Sequence, residues 1–230
     1  MVPNRFTQKL LSLIFVVALA VFILSFSISI PIFCRFIYYA HIEPLDLPQT
    51  SGFTAEQIRT SYDAMMDYLT LPNKEFSLGE MSYTYTAAEH FKEVKGLFTL
   101  NTVALICSVV YVVVVIVLKK FGKVAPLKLG EHTPSFYSGI MVLVIPILVG
   151  LFALIDFKNT FLLFHEIVFQ NNDYWLFDPS TDQIITVLPP EFFMNCAIII
   201  SAVAISLSLT FIIADLVKKR KNQVDFNKEV

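Results

Sequence analysis

The sequence predicts an all-α membrane protein with four transmembrane helices, two large extracytoplasmic loops that contain short helices, and both termini in the cytoplasm. Of its 230 residues, 56% are hydrophobic and 16% are charged, which is more apolar than an average soluble domain. The apolar residues are also grouped, and a bilayer span needs about 20 of them in a row. The stretches that qualify are about 10–33, 97–118, 137–155 and 194–217. We therefore expect a single membrane domain over residues 1–230.

The first apolar stretch is predicted to be a permanent membrane anchor rather than a cleaved signal peptide. Its uncharged run reaches Cys34, whereas the apolar core of a signal peptide has about 7–15 residues. In addition, no small-x-small cleavage motif follows it. We expect this stretch to remain as the first transmembrane helix.

The distribution of basic residues predicts the orientation in the membrane. Lys and Arg concentrate near the N-terminus, in 119–134 and in 218–228, while 34–96 and 156–193 carry fewer of them among many acidic residues. Basic loops remain in the cytoplasm. We therefore expect both termini and the short loop inside, and the outer loops 34–96 and 156–193 outside. The C-terminal basic cluster is then a topology signal, and we expect no nucleic-acid partner.

The first outer loop contains the pattern of an amphipathic helix. Thr54 and Gln57 have the spacing of a capping box. An apolar stripe at helical spacing follows them: Ile58, Tyr62, Met65 and Leu69. This pattern predicts a helix that lies on the bilayer or on the other helices.

A second capping box, Thr86 with Glu89, precedes the second span. No proline interrupts the sequence from Ala87 onward, so we expect one helix to run from the outer loop into the membrane. His90 would then lie about 10 Å above Leu97, at the depth of the lipid headgroups.

The second outer loop combines apolar and polar residues. Phe161–Phe169 is apolar except for His165 and Glu166, and we expect it to form a short interfacial or re-entrant helix. The β-branched run Gln183–Leu188 predicts a strand. Asp178 is interpreted as a turn residue, and Trp175 as an anchor at the membrane interface rather than a substrate platform.

Four histidines are candidates for chemistry: His41, His90, His132 and His165. His41 with Asp46 has the His-x4-Asp spacing of glycerolipid acyltransferases, but the neighbouring prolines do not suit that soluble fold. His132 is expected to be solvated in the cytoplasmic loop. His90 and His165 each have an acidic neighbour and lie on loops that must pack side by side. An ordinary pKa of about 6.5 suits both for proton transfer near neutrality.

Other kinds of site have weaker support. The sequence contains no His-Glu-x-x-His motif and no Cys/His cluster, so we expect no metal and no cofactor. The outer loops contain no Gly-x-Ser-x-Gly or Ser-x-x-Lys motif, so catalysis there should avoid an acyl-enzyme. The three cysteines, Cys34, Cys107 and Cys196, are interpreted as small apolar fillers.

Motifs in both outer loops resemble one known family. They are Glu89-His90-x-x-Glu93-Val94-Lys95, Phe164-His165-Glu166-Ile167-x-Phe169, Trp175-Leu176-Phe177-Asp178-Pro179-x-x-Asp182 and Leu188-Pro189-x-x-Phe192-Phe193. With four spans and cytoplasmic termini, they are similar to the lipoprotein intramolecular transacylase family of low-GC Gram-positive bacteria. The resemblance covers nearly the whole chain, and the second loop is its most specific part.

The resemblance implies a reaction at the extracytoplasmic face of the bacterial cell membrane. An acyl chain would move from the sn-2 ester of a diacylglyceryl-modified N-terminal cysteine to the α-amine of the same cysteine, which gives a lyso-form lipoprotein. The partners would be diacylated lipoproteins and membrane lipid. The resemblance also points to His90 and His165 as the catalytic pair.

Further roles follow as hypotheses. We favour His165 as the base and His90 as the proton donor, although the sequence alone does not fix this assignment. The remaining candidates for orienting the rings, meeting the oxyanion or binding substrate are Glu89, Glu93, Glu166, Tyr62, Asn171, Trp175 and Asp178. Two other functions stay open: a membrane phospholipid or lipoprotein ester hydrolase that uses the same histidines, and a scaffold without catalytic activity.

Overall fold

The computed structural model describes residues 4–124, 129–170 and 172–229. Within those residues the chain is helical apart from turns, loops and one isolated bridge between Leu129 and His132. The α-helices found there are α1 (Arg5–Phe33), α2 (Phe36–Tyr39), α3 (Leu47–Ser51), α4 (Ala55–Thr70), α5 (Tyr85–Lys120), α6 (Pro134–Ile155), α7 (Phe157–Val168) and α8 (Pro190–Glu229). A short 3-10 helix lies at Gln183–Thr186.

Four of these helices are long and apolar enough to cross a bilayer, and they contain the four predicted spans. They are α1, α5, α6 and α8. Only 11–33% of the most apolar part of each helix is buried inside the protein, so most of these side chains face outward, as lipid-facing side chains do. The predicted all-α membrane fold with four spans is confirmed.

The chain packs as two compact units, and each transmembrane helix contributes residues to both. The first unit is Met1–Ile28, Thr102–Val149 and Ser201–Val230, and the second is Ser29–Asn101 and Gly150–Ile200. The second unit contains both predicted outer loops, 34–96 and 156–193. That the whole chain is a single membrane domain stays a prediction.

In the first unit, small residues set the contacts between helices. A Cβ atom at Gly139 on α6 would lie 2.8 Å from the backbone oxygen of Ser208 on α8, so this close approach requires glycine. The neighbouring Ser138 hydroxyl donates to the Val16 carbonyl on α1 at 3.0 Å. Such small residues allow helix backbones to approach closely in membranes.

The sequence predicts that His132 is merely solvated, but the structure gives it specific partners. Its Nδ1 lies 2.6 Å from the carboxylate of Asp215 on α8, and its ring stacks on Phe136 at a centroid distance of 3.9 Å. The same carboxylate accepts the backbone N–H of Thr133 at 2.9 Å. Asp215 therefore attaches the loop before α6 to α8. The sequence shows one charge near the end of the fourth span but not the partner that it binds.

In the second unit, α4 follows the prediction closely. Thr54 and Gln57 form the capping box in both directions. The apolar stripe is buried in the core of the unit: Ile58, Tyr62, Met65 and Leu69. Of the two predicted positions, on the bilayer or on the other helices, the structure therefore shows that this helix packs on protein. On the polar side of α4, Arg35 binds Asp63 at 3.0 Å and Asp67 at 2.5 Å.

The helix α5 runs from the first loop into the second span as expected, but the predicted cap at Thr86 is wrong. The helix begins at Tyr85, and the hydroxyl of Thr84 accepts the N–H of Ala87 at 3.2 Å. Thr84 is itself held by Asp182, which accepts its N–H at 2.7 Å. This long-range bond shifts the start of the helix relative to the local pattern.

The second outer loop differs from its prediction in two places. The helix α7 starts four residues earlier, at Phe157, because Asp156 caps it by accepting the N–H of Asn159 at 3.0 Å. The strand predicted at Gln183–Leu188 is wrong, because a 3-10 helix forms over Gln183–Thr186. Ile184, Val187 and Leu188 are buried in the core, so tertiary packing overrides the β propensity of this run.

Candidate active site

His90 lies on α5 within a group of aromatic side chains. Only 6% of the residue is exposed. The centroid of its ring lies 4.7 Å from that of Phe169, 5.4 Å from Phe177 and 5.8 Å from Phe91. Its Nδ1 is buried without a hydrogen-bond partner in the part of the chain that the structure describes. This imidazole therefore keeps a nitrogen that is not engaged by those residues.

His165 lies on α7 with its tautomer defined by one hydrogen bond. Its Nδ1 is 2.8 Å from the carbonyl oxygen of Phe161. A carbonyl only accepts hydrogen bonds, so Nδ1 carries a proton, and in the neutral ring Nε2 holds the lone pair. The ring packs at 4.3 Å from Phe161 and 5.2 Å from Trp175, between centroids.

The two histidines that the sequence predicted as a pair lie side by side. Their ring centroids are 6.1 Å apart, with 33° between the planes. Phe169 contacts both rings, at 4.7 Å from His90 and 5.7 Å from His165. The aromatic side chains thus surround the pair: His90 is buried among them, and His165 is half-buried.

Burial makes both imidazoles weaker bases than usual. His90 lies outside the membrane span, seven residues before the apolar stretch that starts at Leu97. Burial, together with the charge of a protonated His165, lowers the pKa of His90 to about 4. Burial also lowers the pKa of His165, while the hydrogen bond to Phe161 partly opposes this shift. Both rings are therefore neutral near pH 7, and protonation of one disfavours protonation of the other.

Hydrogen bonds between the two outer loops position α5 beside the second loop. The buried carboxylate of Asp182 accepts both the N–H and the hydroxyl of Thr84, at 2.7 and 2.8 Å. Ser82 and Gln183 exchange two further bonds, of 2.8 and 3.1 Å. These residues hold the start of the helix that carries His90. No local pattern in the sequence predicts this role, because the bonds join residues about 100 positions apart.

A small pocket lies beside the histidine pair. It has a volume of about 140 Å³ and is lined by Glu93, Leu97, Val168, Phe169, Gln170 and Asn172. The side-chain N–H of Asn172 donates to Oε1 of Glu93 at 2.8 Å, while the oxygen of the same amide accepts the N–H of Tyr174 at 3.0 Å. Oε2 of Glu93 is buried without a hydrogen-bond partner among the described residues.

The other predicted site residues lie in different surroundings. Glu89 forms an ion pair with Lys92 at 2.9 Å, and Glu166 is exposed on α7. Tyr62 stacks on Tyr38 at 3.7 Å in the core of the unit, where burial raises its pKa. Asn171, proposed for the oxyanion, lies outside the described residues.

Asp178 and Trp175 take different positions. Asp178 forms a turn by accepting the N–H and the hydroxyl of Ser180 at 2.8 and 2.7 Å, and these bonds lower the pKa of its carboxyl group. This contact matches the interpretation of Asp178 as a turn residue. Trp175, in contrast, packs against the ring of His165, so the structure brings it to the site.

His41 differs from the histidine pair because both of its nitrogens are engaged. Nδ1 donates to the Ile37 carbonyl at 2.6 Å, and Nε2 accepts from the side-chain amide of Asn195 at 2.9 Å. It therefore serves as a structural histidine in the second unit. In the described part of the chain, no three His, Cys, Asp or Glu residues are grouped so that they would hold a metal ion.

Comparisons with known proteins agree with this architecture. The fold is similar to the in meso structure of the membrane integral lipoprotein intramolecular transacylase Lit from Bacillus cereus, with a TM-score of 0.81 and 24% sequence identity over 99% of this chain and 100% of that chain. Two further structures of the Bacillus cereus protein have one histidine replaced. The arginine variant has a TM-score of 0.74 and 24% identity over 98% of this chain and 96% of that chain. The alanine variant has a TM-score of 0.75 and 25% identity over 94% of this chain and 96% of that chain.

The family assignment rests on the sequence. A comparison with curated protein sequences gave no match. The family model of the lipoprotein intramolecular transacylase Lit, however, matches residues 13–193, which is more than half of the chain. The chain therefore belongs to the lipoprotein intramolecular transacylase family, a family of membrane-integral acyltransferases.

Proposed function

We propose that this protein moves the sn-2 acyl chain of a diacylglyceryl-cysteine lipoprotein to the α-amine of the same cysteine, with His90 and His165 as the acid–base pair. Membership of the transacylase family supports the reaction. The single observation that carries the mechanism is the pairing of two histidines at 6.1 Å inside an aromatic enclosure. The product is an N-acylated lipoprotein that keeps one acyl chain on its glyceryl group.

The proposed reaction needs proton transfers but no protein nucleophile. The α-amine has a pKa of about 8 and is mostly ammonium at neutral pH, so a base first removes one proton. The nitrogen then bonds to the carbonyl carbon of the sn-2 ester, while the bond from that carbon to the glyceryl oxygen breaks. A second proton passes from the nitrogen to the glyceryl oxygen, and the first is released to solvent. Amine and ester belong to one substrate, which supplies a high effective molarity.

The hydrogen bond at His165 favours this residue as the base. Its Nδ1 donates to the Phe161 carbonyl, so the lone pair on Nε2 is available to accept the proton of the amine. A neutral His90 then relays the second proton of the amine: one ring nitrogen takes up this proton as the N–H of the other passes to the departing glyceryl oxygen, so the ring stays neutral overall. Because protonation of one ring disfavours protonation of the other, only one of the two histidines is an imidazolium cation at a time.

Enclosure of the histidines favours transfer over hydrolysis. His90 is only 6% exposed, and its aromatic neighbours exclude water that would otherwise compete with the amine. The long apolar helices would hold the acyl chains of the substrate within the bilayer. We also place the site on the extracytoplasmic face, because both histidines belong to the loops with few basic residues.

Mass spectrometry of the N-terminal peptide of a reporter lipoprotein tests this function, using cells with and without the protein. We expect the peptide to gain an N-acyl group and to retain a monoacylglyceryl group, with no change in total acyl mass. His90→Ala and His165→Ala should each lower the product roughly 100-fold or more, since acid–base groups contribute on that scale.

His41→Gln is the matched control, because it replaces a histidine in the same unit whose two nitrogens are already bonded within the protein. Once membrane levels are equalised, this variant should retain the product. A peptide that keeps its diacylglyceryl group and its free amine in the presence of the wild-type protein would overturn the proposal. Loss of one acyl chain would instead indicate a hydrolase.

A further inference from the structure

Glu93 has an arrangement that the histidine mechanism does not explain. Its Oε1 accepts a hydrogen bond from Asn172, but its Oε2 is buried without a partner in the described residues. Leaving a buried carboxylate oxygen unpaired is costly, and such groups are few in native proteins. A carboxylate in this position therefore indicates that a cationic or donor ligand completes the site.

The carboxylate of Glu93 is held in place before any ligand arrives. The amide of Asn172 is oriented by the N–H of Tyr174, which donates to its oxygen at 3.0 Å. The amide nitrogen must then face Glu93, which fixes the assignment of the two amide atoms. The same glutamate forms part of the wall of the 140 Å³ pocket, a volume that suits a small charged group rather than an acyl chain.

The two lysines next to Glu93 on α5 do not supply the missing charge. Lys92 forms its ion pair with Glu89 at 2.9 Å. Lys95 lies over the ring of Tyr68, with its Nζ 4.2 Å from the centroid, and its Nζ also lies 3.4 Å from the Leu71 carbonyl. Both ammonium groups are engaged elsewhere, so the cation is expected to come from the ligand.

The pocket lies next to the reacting groups. His90 and Glu93 are three residues apart on one helix, a spacing that places their Cβ atoms about 5–6 Å from each other. Phe169 forms a wall of the pocket and also contacts the His90 ring at 4.7 Å. A cation beside Glu93 would therefore be within reach of the histidine pair.

We propose that Glu93 and Asn172 form the subsite that binds the α-ammonium group of the substrate before transfer. This inference rests on the proposed function. The carboxylate accepts charge-assisted hydrogen bonds from the ammonium group and holds the nitrogen near the base. After one proton passes from the ammonium group to His165, the neutral amine attacks the ester as described above, so the subsite adds no covalent step of its own.

Two substrate peptides test this subsite directly. One is a diacylglyceryl-cysteine peptide with a free α-amine, and the other is the same peptide with an acetylated amine, which carries no charge and cannot react. The dissociation constants of both are measured for the protein in nanodiscs, that of the free-amine peptide by rapid mixing before turnover. We expect the wild-type protein to bind the free-amine peptide about tenfold more tightly or better, the range of a hydrogen bond to a charged group.

Variants of Glu93 then separate charge from shape. Glu93→Gln keeps the size and the acceptor for Asn172 but loses the charge, so the preference for the free amine should fall to near unity and KM for that peptide should rise. Glu93→Asp keeps the charge and should retain part of the preference. Glu75→Gln is the control, because it removes the same charge from an exposed position in the same unit.

Each outcome separates this inference from the proposed function. If the wild-type protein converts the free-amine peptide but binds both peptides equally, or if Glu93→Gln keeps the full preference, the ammonium subsite is wrong and the transacylase function stands. If the wild-type protein converts no peptide to the N-acyl form, the proposed function itself fails. A preference that is lost in Glu93→Gln and kept in Glu75→Gln supports the subsite.

Discussion

At the scale of single residues, the hydrogen bonds of the histidines distinguish their roles. His41 and His165 both donate from Nδ1 to a carbonyl four residues earlier. At His41 the second nitrogen also has a partner, Asn195, so this ring serves the fold. At His165, Nε2 accepts no hydrogen bond from a side-chain amide in the described residues, so its lone pair is available. The sequence already favours His90 and His165, and the hydrogen-bond partners of His41 show why this third histidine of the outer loops serves the fold instead.

The lowered pKa of His90 predicts a dependence of stability on pH. The unfolded chain binds a proton at about 6.5, whereas the folded chain binds it only at about 4. Below pH 6.5 the unfolded state thus holds more protons, and the free energy of unfolding should fall by on the order of 2–3 kcal/mol as the pH drops toward 4. Unfolding in detergent between pH 7.5 and 4.5 measures this loss.

The comparison with variants isolates the contribution of His90. His90→Gln cannot titrate, so its stability should fall less than that of the wild-type protein over the same pH range. Equal losses in the wild-type protein and in His90→Gln would show that the buried imidazole does not cause the effect.

At the scale of helices, α5 joins the membrane to the site. Its 36 residues correspond to about 54 Å, which is far longer than the hydrocarbon core of about 30 Å. The helix therefore extends well beyond the apolar stretch, and His90 lies in this extension. The orientation of the extension depends on Thr84, the residue just before the helix, which Asp182 binds.

Removal of Asp182 should weaken both the fold and the site. Asp182→Ala leaves the N–H and the hydroxyl of Thr84 without this acceptor, which should cost about 1–3 kcal/mol of stability. Transfer should also slow, because the start of the helix that carries His90 is released. Thermal unfolding and the rate of product formation measure the two effects. The exposed Asp173, replaced by alanine, is the control, and equal effects in the two variants would contradict this role for Asp182.

The elements were predictable from the sequence to different degrees. The transmembrane helices follow from the length of their apolar stretches, and α4 follows from its cap and its apolar stripe. The strand expected at Gln183–Leu188 and the cap expected at Thr86 failed for a common reason. Both depend on contacts between the two outer loops, and these contacts join residues about 100 positions apart, which local patterns do not reveal.

At the scale of the whole molecule, the sequence identified the histidine pair but not its surroundings. His90 and His165 were recognisable from their acidic neighbours, from their place on two outer loops that must pack side by side, and from a family resemblance. The aromatic enclosure, the pocket at Glu93 and the hydrogen bond from Asn172 to Glu93 depend on how the loops pack, so no sequence motif predicts them. The predicted partners of the histidines also changed, since Glu89 binds Lys92 instead.

The orientation of the whole chain in the membrane remains a prediction that labelling would test. The native cysteines are all free and would first be replaced. A cysteine at the exposed position of Lys74 should then react with a membrane-impermeant maleimide added to intact cells, and one at the exposed position of Lys123 should react only after lysis. The opposite pattern would place the histidines on the cytoplasmic side.

The most direct test of the central claim is an isotope crossover experiment with the purified protein. One diacylglyceryl-cysteine peptide carries a ¹³C-labelled sn-2 acyl chain on an unlabelled peptide, and a second carries an unlabelled chain on a ¹⁵N-labelled peptide. After both react in one mixture, we predict that each product keeps its own acyl chain, now on the amine, and that His90→Ala and His165→Ala each form roughly 100-fold less product or lower. Products with exchanged labels, or release of free fatty acid, would contradict intramolecular transfer by this histidine pair.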